Sequence, residues 1–535
     1  MIQRRIQFGS GAIFAILGLS ACLAAPADKP SASVNPSTMP RIATVDERFQ
    51  SYNIEMVEVT GGRFWKPFDA QVDAILASQS AVKESGLNQP VGMNPALYQY
   101  RPPIDLSSAR LRKLAAALGP AYLRVSGTWQ NSTYFQDSEA PAPSTPPKGF
   151  NGVLTRQQWK GVIDFSHATD AKIITSFATS AGTRDAAGVW TPDQASLFLA
   201  YTKSIGGSIT AAEYMNEPTF AAFAGVPKGY DAAAFARDIA VFVPFIRKTA
   251  PEMVILGPGS IGEGVALAPG LMQILKSEEM LKDTGPVFDA FSYHFYGTIS
   301  RRCAAAMGGN AGTTPEAALT DEWFSRTDSV EAFYAGLRDK FLPGKAIWLT
   351  ETAQAACGGD KWASTFIDSF RYLNQLGTLS QRGVQVVAHN TLAASDYGLL
   401  DEKTFAPRPD YWAALLWRKL MGTTVLNPGA SSAPDLRLYA HCLRNTPGGV
   451  ALLVINTSRT APLSLEAPAA AERYTLSAQK LLDNTVELNG TELKLGSDDT
   501  LPQLKAIPTR SGALTFAPAS ITFLVIPKAK NPSCR

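Results

Sequence analysis

Charge is scarce in this chain. Only 18% of its 535 residues are charged, 49 basic against 46 acidic, and the net charge of +3 gives no warrant for a nucleic-acid partner. No long basic run occurs, although so small a total is compatible with a local basic cleft for an acidic ligand. Histidine is rarer still at four residues, and cysteine stands at five, with no CxxC and no paired-histidine spacing. The sequence therefore offers no metal-binding motif, and no metal or organic cofactor is predicted. No internal repeat is evident. What is present is apolar: a hydrophobic content of 45% describes a globular protein rather than a disordered one. The length exceeds what one small core holds, which predicts a large domain with a smaller companion.

Long apolar runs are also missing, except at the start. MIQRRIQF carries Arg4 and Arg5, and GSGAIFAILGLSA follows as a stretch too short for a comfortable membrane span. It ends in Leu19-Ser20-Ala21-Cys22, which resembles the bacterial lipobox, whose cysteine becomes the lipidated N-terminus. Ordinary signal-peptidase cleavage near Ala24 or Ala25 is the alternative. The expectation is a lipoprotein-type leader over 1–22 and a Pro-, Ala- and Ser-rich flexible tether over 23–40. The protein is then exported, to the periplasm or to the outer membrane and cell surface, and meets the membrane only through its lipid anchor. Without Cys22, four cysteines remain: Cys303, Cys357, Cys442 and Cys534. In an oxidising compartment they permit two disulfides, in any of three connectivities.

From about Tyr52 short β-rich runs alternate with amphipathic helical patterns. SYNIEMVEV, AYLRV, KIITSF, TAAEYM, MVILG, AFSYH, AIWLT and VQVVAH read as strands. Segments such as RQQWKGVIDFSHA and FARDIAVFVPFIRKTA, with apolar residues at helical spacing, read as the helices between them. Eight strands with intervening helices predict a (β/α)8 TIM barrel over 41–421. QDSEAPAPSTPPKGF, after the second strand, reads as a proline-rich surface loop. Beyond Gly422 only short strands separated by turns remain, which predicts an all-β sandwich over 422–535.

Two glutamates stand at the ends of apolar runs, Glu217 in AEYMNEPTF and Glu351 in WLTET. A carboxylate at the tip of a buried strand is costly unless something uses it or pairs with it. In a barrel, residues at the C-terminal strand ends face one site, so strands four and seven would deliver both into a common cleft. Two carboxylates sharing a cleft repel, one keeping its proton while the other ionises, which is the division of labour that glycosidic cleavage needs. Arg124 in YLRVSGT and Tyr296 in FSYHFYG could hold the ionised one, and Asn216 could bind the neighbouring sugar hydroxyl. His294, in the same run, reads as a satisfied core histidine.

LGPAYLRVSGT, EYMNEPTF, FDAFSYHFYG and KAIWLTETA resemble the strand ends of the heparanase-like enzymes of glycoside hydrolase family 79. The likeness extends from about Val45 to the C-terminus, and GVQVVAHNTLAASDYGLLDEKTFAPRPDYWAALLWRKLMGTTV is similar in order and spacing to mammalian members. The resemblance implies that Glu217 is the acid/base and Glu351 the nucleophile of a retaining enzyme on β-D-glucuronosyl linkages. It implies sugar contacts for Asn216, Thr128 and Glu55 (where an aspartate is expected), support of the nucleophile by Tyr296, and glucuronate-carboxylate contact for Tyr397. It also implies that Cys442 pairs with Cys534, and with that pair taken, Cys303 with Cys357. The family's tyrosine and glycines beyond the nucleophile are replaced here by Ala356-Cys357-Gly358-Gly359, so carboxylate binding near Gly358 is expected from a changed turn. Mammalian members carry a long excised linker where this chain has only its proline-rich loop, so a single, unprocessed, monomeric chain is expected.

The expected activity is heparanase-type endo-β-glucuronidase action on heparan sulfate or a related acidic glycan. Exo-β-glucuronidase action and a non-catalytic glycan-binding lipoprotein are the alternatives. Arg184, Lys228, Arg301, Arg302 and Lys361, in strand-following loops, are candidate sulfate ligands.

Overall fold

The computed structural model describes residues 32–78, 94–223, 225–264, 274–303 and 312–535. The leader, including Cys22, lies outside the described residues. Eight parallel strands close a barrel: β1 Gln50–Glu55, β2 Ala121–Ser126, β3 Ala171–Ser176, β4 Ile209–Glu213, β5 Val254–Ser260, β6 Ala290–Ile299, β7 Ala346–Ala356 and β8 Val386–His389. Closure is made by β8 against β1, with Val387 opposite Gln50 and His389 opposite Tyr52. The (β/α)8 fold expected from the alternating pattern is borne out.

Local rules explain the elements. Helix Arg156–Ala168 starts at a capping box, in which Thr155 Oγ1 accepts from the Gln158 amide and the Gln158 side chain accepts from the Thr155 amide. Its Trp159, Val162 and Ile163 then fall on one face and are buried. SYNIEMVEV is not one strand: β1 stops at Glu55, where a second capping box with Glu58 turns the chain into the short helix Met56–Thr60. The long helices Asp321–Phe341 and Phe366–Gln381 follow β6 and β7.

Alternation along the strands sorts the barrel interior into layers. Tyr122, Ile174, Ala211, Leu256, Ala290, Trp348 and Val386 form an apolar cluster. Two residues further along the same faces stand Arg124, Ser176, Glu213, Ser292 and Thr350, all buried. The polar layer lies toward the C-terminal strand ends.

Apart from two two-stranded ribbons, the remaining strands build a nine-stranded sheet and a three-stranded sheet with a shared core that includes Leu438, Leu452, Leu465, Phe516 and Leu524. The other face of the larger sheet packs on the barrel through Tyr439, Leu453 and Phe523, within one continuous core. Helix Phe366–Gln381 lies between the two and is buried from Phe366 to Ser380, on all sides. The expected boundaries need one correction. Ala32–Ser33, read as tether, pairs with Leu463–Ala467, and Arg41–Thr44, read as barrel, pairs with Met421–Leu426. The N-terminal segment is thus stitched into the C-terminal sheets by main-chain hydrogen bonds. Two disulfides, Cys303–Cys357 and Cys442–Cys534, match the expected pairs.

Candidate active site

Arg124 is the hub of the polar layer. Its guanidinium is 1% exposed and donates from Nη1 to Glu351 Oε2 at 2.7 Å and from Nη2 to Glu213 Oε2 at 2.9 Å. A further bond from Nη2 reaches Asn216 Oδ1 at 2.8 Å. Burial favours the neutral form of arginine, but the charges of Glu213 and Glu351 outweigh it and raise the group's pKa. Glu213 shows the mirror case. Burial pushes its carboxyl up, yet Arg124, His294 and the Thr350 hydroxyl at 2.7 Å hold it well below the usual range.

Glu351 lies inside β7 rather than beyond it, because pairing with β6 continues to Ala356. One of its oxygens takes Arg124, and the other accepts from the Tyr296 hydroxyl at 2.6 Å. Tyr296 in turn accepts from Asn390 Nδ2 at 2.9 Å, and the same amide reaches Glu55 Oε1 at 2.9 Å and the Tyr397 hydroxyl at 3.1 Å. A chain of donors therefore runs from the end of β8 to Glu351. Burial, with Glu351 close by, raises the Glu55 carboxyl well above its ordinary pKa. Only glycine fits beside it: a Cβ on Gly127 (φ +94°) would sit 1.5 Å from Glu55 Oε2.

Glu217 follows β4 with φ +50°, a left-handed conformation that costs a non-glycine residue about 1–2 kcal/mol. The turn is held by Asn131, whose side chain accepts from the Asn216 amide at 2.9 Å and donates to the Asn216 carbonyl at 2.9 Å. Burial raises the Glu217 carboxyl, and the negative charge of Glu351 adds to the rise.

His294 is not the satisfied core histidine expected from its apolar run. Its Nδ1 lies 3.1 Å from Glu217 Oε1 and 3.8 Å from Glu351 Oε2, and its Nε2 lies 3.7 Å from Glu213 Oε1. Burial presses the imidazole toward neutrality, but these carboxylates, Glu351 foremost, lift it to about 9 against the opposing charge of Arg124. The buried cluster thus sets two basic groups, Arg124 and His294, among three carboxyls, Glu213, Glu217 and Glu351. Nδ1 shares a hydrogen bond with Glu217 Oε1, while Nε2 also faces Arg124 Nη2 at 3.2 Å.

Ligand atoms of Glu217, His294 and Glu351 lie within 4.8 Å of one another, close enough to converge on a metal ion. Arg124 already delivers a positive charge to the Glu351 carboxylate.

Of the residues singled out in the sequence, Glu217, Glu351, Arg124, Asn216, Tyr296, Tyr397 and Glu55 meet in this one network. Thr128 opens the turn Thr128–Ser132 beside Gly127, half-buried. Gly358 packs against Trp65, where a Cβ would come within 2.7 Å of the indole. The basic loop residues do not converge. Arg184 is buried against Asp238 at 2.8 Å, Lys361 pairs with Asp73, and Lys228 is exposed. Glu213, Thr350, Asn131 and Asn390 were not singled out. For Glu213 and Asn390 the available signal was their place at the ends of β4 and β8.

A parallel barrel that presents two close glutamates at the ends of β4 and β7, backed by buried charges, defines a barrel glycoside hydrolase. The chain matches the glycosyl hydrolase family 79 N-terminal domain over residues 102–377, just over half its length. It is similar to heparanase of Mus musculus, at 29% identity over 496 residues covering 80% of this chain and 88% of that protein. It is also similar to heparanase-like protein 1 of Arabidopsis thaliana, at 26% over 485 residues, 81% of this chain and 86% of the other. Among solved structures, the 4-O-α-L-rhamnosyl-β-D-glucuronidase of Fusarium oxysporum 12S shares the fold, with a TM-score of 0.61 at 12% identity, covering 92% of this chain and 100% of that one. The protein belongs to glycosyl hydrolase family 79.

Proposed function

We propose that the chain is a retaining β-D-glucuronidase of heparanase type that cuts within an acidic, glucuronate-containing polysaccharide. One observation carries the mechanism: carboxylate oxygens of Glu217 and Glu351 approach within 4.8 Å. Retaining glycosidases hold their carboxyls ~5–5.5 Å apart, whereas inverting ones need roughly 6.5–9.5 Å to admit a water. Glu351, aimed by Arg124 and Tyr296, attacks the anomeric carbon. Glu217, kept protonated by burial and by its negative neighbour, gives its proton to the leaving oxygen. As its proton leaves, Glu217 becomes the base that activates water against the glycosyl ester. His294, donating to Glu217 Oε1, stabilises the anion formed in the first step.

Specificity for glucuronate is supported by the wall opposite. Protonated Glu55 offers a donor rather than a charge, so an anionic sugar meets no repulsion there. Tyr397, whose ring stacks at 6.4 Å on Tyr296, and the turn at Gly358 complete a polar, uncharged receptor for the sugar carboxylate. The similarity to mouse heparanase supports the same reading. Two disulfides fit an exported protein, and we extend the proposal to an anchor at Cys22.

Heparan sulfate incubated with the enzyme and run on size exclusion tests this function. A rapid fall in chain length supports endo cleavage. Release of free glucuronate alone makes the enzyme exo-acting, and binding without hydrolysis of any glucuronide makes it a glycan-binding protein instead.

A further inference from the structure

Arg302, a candidate sulfate ligand by sequence, has its hydrogen-bonding groups turned inward. It sits on the turn Arg301–Cys303 after β6 and is 3% exposed. Its Nη1 donates to the carbonyls of Gly359 at 2.7 Å and Cys357 at 3.3 Å, in the loop after β7. Nη2 donates to the Lys66 carbonyl at 2.6 Å, in the loop after β1, and to the Asp396 carboxylate, in the loop after β8. The guanidinium lies 4.0 Å over the Phe68 ring, whose amide donates to Asp396. One buried fork thus ties the loops that follow β6, β7, β8 and β1, four neighbours in the barrel. Cys303 and Cys357, each joined to a residue of this knot, are linked by a disulfide.

What the knot holds is the receptor side of the site. Asp396 precedes Tyr397, and its amide donates to the Gly358 carbonyl at 3.1 Å. Gly359 lies directly beneath Tyr397, where a Cβ would come within 3.2 Å of the tyrosine amide, and Gly358 lies on Trp65. The glycine pair is therefore packed between Trp65 and Tyr397, and the position of Tyr397 follows from it. Lysine cannot substitute: a single ammonium has no planar fork to reach acceptors in three loops at once.

We infer that Arg302 is a positioning residue that sets selectivity for an acidic over a neutral sugar, acting through Gly359 and Asp396 on Tyr397, with the Cys303–Cys357 bridge holding the same turn from outside. The inference rests on the glucuronate-binding role proposed for Tyr397. It is tested by binding, in full-length E217Q so that ligand is not consumed. Titration calorimetry compares a β-glucuronosyl disaccharide with its β-glucosyl counterpart.

Intact E217Q is expected to favour the glucuronosyl ligand at least tenfold. In E217Q/R302K that ratio is expected to fall below threefold, with glucosyl affinity unchanged. C303S/C357S in the same background moves the ratio the same way by less, and C442S/C534S leaves it alone. Asp396→Asn reads the same link from the other end should R302K not fold. A retained preference in R302K overturns the inference, as does an equal loss for both ligands, which marks a merely structural role. If E217Q itself shows no preference, glucuronate specificity fails and takes the inference with it.

Discussion

The two ends of the barrel interior obey opposite rules although they lie only two to four residues apart along the strands. At the N-terminal end Tyr122 and Trp348, with ring centroids 5.0 Å apart, fill the barrel with Ile174, Leu256 and Val386. Dispersion and water exclusion stabilise that layer, and it tolerates no charge. Further along the strands, Arg124, Glu213 and His294 are equally buried, and Glu351 is nearly so. An isolated charge there would cost several kcal/mol, and the layer answers it by setting the Arg124 guanidinium against the carboxylates of Glu213 and Glu351. The lower layer contributes stability and the upper one chemistry, at some expense of stability. The contrast also explains why the upper layer sits at the strand C-termini, where loops can add Glu217, Asn390 and Tyr397.

Substitutions separate the two layers, beginning with the largest effect. E351A is expected to abolish turnover of any glucuronide while leaving glycan binding largely intact. E217Q is expected to lower kcat by roughly 10²–10⁴-fold on a poor leaving group. Both variants should stay folded. R124M strikes both functions, since it leaves Glu213 and Glu351 buried without their cation; a loss of roughly 3–5 kcal/mol should be seen in urea unfolding. W348A, in the lower layer, should cost a similar roughly 3–5 kcal/mol. Its kcat per folded molecule should nevertheless remain close to wild type. A W348A enzyme that is stable but inactive would erase the distinction.

The pH dependence sharpens it further. The folded state holds the Glu217 proton after the unfolded chain has released its own, because burial raises this carboxyl. Stability therefore falls as pH rises from the ordinary carboxylate range toward that raised pKa, and E217Q is spared the loss. The melting temperature of E217Q minus that of wild type should grow between acid and neutral pH; a shrinking gap contradicts the assignment. Activity loses its alkaline limb with the same residue. The smallest expected effect concerns the proline-rich loop. Intact mass of active, leader-free enzyme should show one uncut chain, and a required cut between Pro141 and Pro147 would contradict this.

Much of the barrel was legible because β-strand alternation and helix periodicity are local signals. The two glutamates were legible because each ends an apolar run. Their surroundings were less so. Arg124 meets Glu213 across 89 residues and Glu351 across 227, and nothing near His294 in the chain announces that three carboxylates from β4, its following turn and β7 surround it. Asn390 joins Glu55 across 335 residues. Arg302 looked like a surface cation because its acceptors, mostly backbone carbonyls, leave no mark in composition. Ala32–Ser33 and Arg41–Thr44 escaped because runs of two and four residues are too short to show a period.

The stereochemistry of the first product tests the paired-carboxylate mechanism most directly. Proton NMR during hydrolysis of a β-glucuronosyl oligosaccharide should show the new reducing end appearing as the β-anomer and only later mutarotating. Initial release of the α-anomer would mean that water, not Glu351, attacks the sugar, and would contradict the double-displacement role assigned to Glu217 and Glu351.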